Sequence, residues 1–156
     1  MVGRKVIFLA FLFCLSFSKQ LEIKADNFSA DEKKMVNILS GSVLVKSNED
    51  VLRSDKLLIF TDKNNKPLKY VASGNASFKI LIKDKFYTGS ANELIYYATN
   101  DIYEANGNAY IQDLSTNNKL YGNKISIDKK KQSYTVFGLN NKKPARFIFN
   151  LKEDFK

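Results

Sequence analysis

Few side chains in this 156-residue chain can do chemistry, and the absences come first. Histidine does not occur, and the single cysteine, Cys14, lies close to the N-terminus. Ser-His-Asp and Cys-His catalysis are therefore excluded, as are the usual zinc ligand sets. Carboxylates remain. Asp101 and Glu104 are close in sequence, but on a strand that spacing puts them on opposite faces, so they make no acid/base pair. Asp62-Lys63-Asn64-Asn65 opens like a calcium loop. It lacks the glycine and the closing bidentate Glu at the required offsets, so a hairpin turn is expected there. Asn27-Phe28-Ser29 and Asn75-Ala76-Ser77 fit a glycosylation sequon, a pattern too short to be informative. Lys129-Lys130-Lys131 is either a solvated hairpin or a seat for phosphate groups. No catalytic residue, metal site or cofactor is expected, and the chain does not read as an enzyme.

The elements that hold these residues are repeated. Gly41-Ser42-Val43, Gly74-Asn75-Ala76 and Gly107-Asn108-Ala109 recur every 33 residues, and a weaker fourth copy is centred on Gly138. Such a period marks one supersecondary unit, stacked. Two residues before each glycine stand Leu39, Ala72, Ala105 and Val136; four before stand Asn37, Tyr70, Tyr103 and Tyr134. After it, at the same parity, come Val43 and Val45, then Ala76, Phe78 and Ile80, then Ala109 and Ile111. Period two with one apolar parity is a strand with one buried face. A glycine inside that pattern predicts a bulge or bend.

A second strand follows in each unit, around Leu57 and Ile59, Leu94 and Tyr96, and Ile125 and Ile127. Asn- and Asp-rich turns separate the strands at residues 47–50, 62–67, 99–101, 115–118 and 140–144. No window after residue 30 carries a helical stripe. Residues 29–36 are the one stretch where a helical turn competes, and strand is preferred there. The fold class expected is all-β, many short antiparallel strands in one continuous stack.

The N-terminus stands apart. Arg4 and Lys5 precede an apolar run over residues 6–15, and Ser16-Phe17-Ser18 places small residues at a cleavage site. This reads as a Sec-type signal peptide over residues 1–18, too short for a comfortable membrane span, with the fold over residues 19–156. Cleavage removes Cys14, Arg4 and Lys5, which takes the net charge from +9 to +7. The exported chain then has no disulfide and relies on burial and ladder hydrogen bonds.

Several segments, in this order and spacing, resemble the LptA type (OstA-like) family of periplasmic lipopolysaccharide-transport proteins. They are Leu21-Glu22-Ile23-Lys24-Ala25-Asp26, Leu39-Ser40-Gly41-Ser42-Val43, Ser54-Asp55-Lys56-Leu57, Gly89-Ser90-Ala91 running into Leu94 and Tyr96, Gly107-Asn108-Ala109-Tyr110-Ile111-Gln112 and Gly122-Asn123-Lys124-Ile125. The resemblance spans residues 20–150. It implies a twisted, open β-jellyroll of two antiparallel sheets with the acyl chains of lipopolysaccharide or lipooligosaccharide between them. It also implies protomers stacked head to tail, with an LptC-type inner-membrane protein at one end and an LptD-type outer-membrane translocon at the other. Family lipid contacts carry over to Leu21, Ile23, Phe78 and Tyr96. With the inward parity, the expected groove adds Val43, Val45, Leu57, Ile59, Ile80, Leu94, Ile111 and Ile125.

Patterning by itself favours a closed, packed sandwich core, and only the resemblance points to a groove instead. Exposing an acyl chain of a dozen carbons to water would cost about 10 kcal/mol, at about 0.8 kcal/mol per CH₂, so a sliding lipid needs a continuous apolar path. Free edges are expected at residues 21–28 and 146–151, the latter flanked by Pro144 and Lys152-Glu153-Asp154. The alternatives are an uncleaved, membrane-anchored LptC-type acceptor of the same fold and an exported polyanion-binding β protein. Nucleic acid is not an expected partner.

Overall fold

The computed structural model describes residues 21–131 and 133–151, with the backbone alone for Leu21. The leader over residues 1–18 and the charged tail at residues 152–154 lie outside the described residues.

Alternating polarity and Asx-rich turns give ten strands: β1 (Leu21–Lys24), β2 (Asn27–Asp31), β3 (Val36–Ser47), β4 (Asp50–Thr61), β5 (Pro67–Ile82), β6 (Lys85–Tyr97), β7 (Ile102–Asp113), β8 (Lys119–Asp128), β9 (Ser133–Phe137) and β10 (Arg146–Ile148). No helix occurs among the described residues. The pairing is antiparallel throughout, in one sheet ordered β1-β3-β4-β5-β6-β7-β8-β10, with β2 also on β3 and β9 also on β8. Both edges are therefore broken strands, β1 with β2 and β9 with β10.

Each of β3, β5 and β7 carries one extra residue, so the register slips at Ser40/Val43, Ser73/Ala76 and Asn106/Ala109. These are the expected glycine bulges. Each glycine and the residue after it have positive φ, as at Gly74 (75°) and Asn75 (48°). An Asx side chain packs against each glycine: Asp26, from the bend between β1 and β2, at Gly41, Asp55 of β4 at Gly74 and Asn92 of β6 at Gly107. The line of bulges bends the sheet into two layers joined by an elbow. The two expected sheets are thus two halves of one folded sheet.

The layers pack face to face. One buried cluster joins Val43 and Val45 of the first layer to Leu39, Leu57, Ile59, Tyr70 and Ala72 of the second. A smaller cluster, of Ala91, Ala105, Ala109 and Ile125, fills the C-terminal part. Fewer large side chains are therefore fully buried towards the C-terminal part, where Ile111, Leu120 and Ile127 pack only partly buried against that cluster.

Three expectations need correction. The last strand is only Arg146–Ile148. Phe149 to Leu151 leave the sheet because Asn150 is tied to the β7–β8 turn: its amide nitrogen donates to Thr116 O and Asn117 O, and its N–H to Asn118 Oδ1. The fourth repeat loses its bulge. β9 ends at Phe137, and Gly138 lacks the left-handed φ because the chain enters a loop that closes at Lys143. Asp101 lies in a turn with φ 58°, not on a strand with Glu104.

Candidate functional site: the inner face

Directly paired residues in an antiparallel sheet share a face. In the first layer this rule traces one row across every strand: Ile23, Val45, Leu52, Phe78, Gly89, Ile111, Leu120 and Phe147. Ile80 lies on the same face, two residues along β5 from Phe78. In the second layer Leu57 and Leu94 pair through Ala72, and Ile125 continues the row through Ala105. Ile59 and Tyr96 occupy the next row, joined by Tyr70. The candidate side chains chosen by parity thus converge on one interior surface. Leu21 pairs with Ser47 through its backbone, and its side chain lies outside the described set.

The interior has two characters. Val43, Val45, Leu57, Ile59 and Ile125 are buried, Ile59 completely. Ile23, Phe78, Ile80, Leu94, Tyr96 and Ile111 are only half-buried. Towards the C-terminal edge the inner-facing Tyr134 and Phe147 are 61% and 44% exposed. The interior is packed shut around β3 and β4 and opens towards β9 and β10.

Beside the buried Ser54 and Thr61, a cluster of phenols enters this interior. Tyr70, Tyr96 and Tyr103 stack in register, with centroids 5.9 Å and 4.4 Å apart. The Tyr96 hydroxyl donates to Asp101 Oδ1 at 3.1 Å. Burial, then the Asp101 charge and its hydrogen bond, push the Tyr96 phenol up to about 12. Burial also raises Tyr70 and Tyr103, and Tyr96 adds to both. The Asp101 and Asp50 charges add further to the shift of Tyr103.

The remaining chemical candidates resolve into structure. Asp62 Oδ1 accepts from the N–H groups of Asn64 and Lys66, which makes the expected hairpin turn. Glu104 pairs with Lys124 at 2.8 Å. Lys129, Lys130 and Lys131 are exposed in the β8–β9 turn, with Lys129 over the Tyr103 ring. No cluster of His, Cys, Asp and Glu among the described residues is placed to hold a metal ion. A depression of about 360 Å³ lies at the elbow and is lined mainly by Asn and Ser, so it is distinct from the apolar interior.

Leu52, Leu120 and Phe147 complete the inner row but were not singled out by the repeat. The signal for them was the pairing register, which places each opposite a residue of known parity.

Fold and interior together define an edge-open antiparallel β-jellyroll with an apolar inner face. Residues 22–133, more than two thirds of the chain, match the family model of the LptA/(LptD N-terminal domain) LPS transport protein. The chain belongs to that family. Its fold is that of Pseudomonas aeruginosa LptH, described as the LptA homologous periplasmic component of the conserved lipopolysaccharide transport device. The two agree with a TM-score of 0.72 at 17% identity, over 85% of this chain and 96% of that one. No curated protein sequence matches the chain.

Proposed function

We infer that this protein is a periplasmic bridge element for lipopolysaccharide. It holds the acyl chains between its two layers and passes them on without chemistry. The observation that carries this reading is the inner row from Ile23 to Phe147. At about 4.8 Å per strand it runs about 34 Å from edge to edge with no charged residue. An acyl chain moving along it goes from one apolar contact to the next, so no step carries the cost of full exposure. The half-buried members Ile23, Phe78, Ile80, Leu94, Tyr96 and Ile111 make first contact. The buried members Val43, Val45, Leu57, Ile59 and Ile125 are reached only where the layers part. Leu21, at the start of β1, is carried into the same set of contacts by the family resemblance.

In this reading the leader over residues 1–18 delivers the chain to the periplasm. The edge of β1 and β2 and the edge of β9 and β10 pair head to tail with further copies, or with an LptC-type protein on one side and an LptD-type translocon on the other. Unpaired edges present free N–H and C=O groups that favour such addition.

The test is photo-crosslinking to lipopolysaccharide from positions 78 and 96, with position 56 on the outer face as control. Adducts at the first two and none at the third are expected. Equal labelling at all three, or none in a folded protein, would sink the reading. Light scattering addresses the stacking. A chain that stays monomeric up to millimolar concentration would remove that part alone.

A further inference from the structure

The outer face of the first layer has its own composition. Two directly paired rows cross it. One runs Lys24, Leu44, Arg53, Ser77, Ser90, Tyr110, Tyr121, Arg146. The other starts at Glu22 and contains Lys46, Lys79 and Lys119. The rows thus hold six cations and one carboxylate, Glu22, which pairs with Lys24 at 3.2 Å. Lys46, Arg53, Lys79, Lys119 and Arg146 have no ion pair among the described residues. Lys79 and Arg146 instead lie over the rings of Phe86 and Tyr121.

The outer face of the second layer differs. There Lys56, Lys69 and Lys124 stand among Asp31, Glu93, Glu104 and Asp128. The positive excess is therefore local to one face and does not simply follow from net charge.

An apolar rim lies among and beside the basic residues: Ile148 pairs with Lys119 in the second row, and Leu81 stands two residues beyond Lys79 on β5. Leu81, Leu114 and Ile148 are 37%, 41% and 39% exposed. Leu81 pairs directly with Phe86, and the Leu114 N–H donates to Phe86 O at 2.9 Å.

We propose that this face docks the protein on an anionic phospholipid bilayer. Its cations are spread over about 34 Å of strands, which fits an extended field of phosphates better than one bound phosphate. The apolar rim selects a bilayer over a soluble polyanion, because only a bilayer offers an apolar layer beneath its charge. Tyr110 and Tyr121 suit the same interface, with an apolar ring and a polar tip. The lipid path lies on the other side of the sheet, so docking leaves the inner face free.

The experiment is co-sedimentation of the full chain with vesicles of phosphatidylglycerol and phosphatidylethanolamine, against vesicles of phosphatidylcholine alone. Binding to the first and not the second is expected, weakening as salt rises. Lys46→Glu with Lys119→Glu should lower the affinity by about tenfold or more. Lys56→Glu with Lys69→Glu makes the same change in net charge on the other face and should have little effect. Leu81→Ser with Leu114→Ser should weaken vesicle binding while leaving heparin binding unchanged. Equal losses from the two lysine pairs would reduce the effect to net charge and overturn the proposal. So would a leucine pair without effect on vesicles, which would mark a general polyanion face. If a glutamate pair fails to fold, the matching glutamine pair gives the same comparison.

Discussion

The Asp55 carboxylate occupies the space where Gly74 would carry a Cβ. An added Cβ would lie 2.6 Å from Asp55 Oδ2 and 2.8 Å from Asp55 Cβ. The same carboxylate accepts a hydrogen bond from the Asn75 side chain at 3.1 Å. Glycine is thus required twice, by a φ of 75° and by the approach of the opposing strand. The interior depends on this contact, because the bulge is where the sheet turns back on itself.

Gly74→Ala should therefore destabilise the fold by about 2–4 kcal/mol, combining a left-handed backbone penalty with a steric clash. Denaturant unfolding measures it. Asp55→Ala keeps its own Cβ in place and should not rescue the glycine variant. A cost below that of an ordinary surface substitution would mean the elbow is softer than its geometry implies.

The two ends of the interior should respond differently to the same substitution. Ile59 is fully buried, so Ile59→Ala should cost about 2–5 kcal/mol. Ile111 has the same side chain on the same interior face but is half-buried, so Ile111→Ala should cost roughly half as much. Thermal or denaturant unfolding of the pair decides. Lipopolysaccharide crosslinking from position 78 should fall more in the Ile111 variant than its small stability loss explains.

That contrast marks the limit of reading the sequence. Parity identified Ile59 and Ile111 as equivalent, because the period-two pattern reports which face a residue occupies. How closely that face is covered depends on what packs around it: Ile59 joins Val43 and Val45 of the other layer in the larger cluster, whereas the cluster against which Ile111 packs is mostly alanine, Ala91, Ala105 and Ala109. The glycines at 41, 74 and 107 announced the bends through their spacing, yet their partners Asp26, Asp55 and Asn92 could be named only once the register was known. The β5–β6 turn was hidden for another reason. Lys83 and Asp84 both adopt positive φ, and lysine carries little turn signal. It joins β5 and β6, the longest hairpin among the described residues.

Stability should fall at high pH through the tyrosine stack. The Tyr96 phenol titrates near 10 when unfolded and at about 12 in the fold. A raised folded value means the stabilisation is complete below pH 10 and is lost as pH climbs towards 12. Tyr70 and Tyr103, also raised, extend the loss in the same direction. Tyr96→Phe should flatten the decline, because it removes the proton that the fold retains. Unfolding midpoints across alkaline pH, followed beside phenolate absorbance, check this. An unchanged slope would mean the phenols ionise without disturbing the stack.

Asn150 holds the C-terminal end of the inner row. Its three hydrogen bonds to the β7–β8 turn, at 3.0 to 3.2 Å, tie down the chain just after β10. β10 is short and paired on one side, and it carries Phe147, the last residue of the row. Because these bonds are exposed, Asn150→Ala should reduce global stability by only about 1 kcal/mol. The local effect should be larger, since a short edge strand opens without unfolding the rest. Amide exchange at Phe147 and Ile148 should accelerate by about tenfold, while exchange in β4 and β5 stays unchanged. Uniform acceleration throughout the sheet would mean that β10 opens only with global unfolding. No acceleration would mean that pairing with β8 alone keeps Phe147 in the inner row.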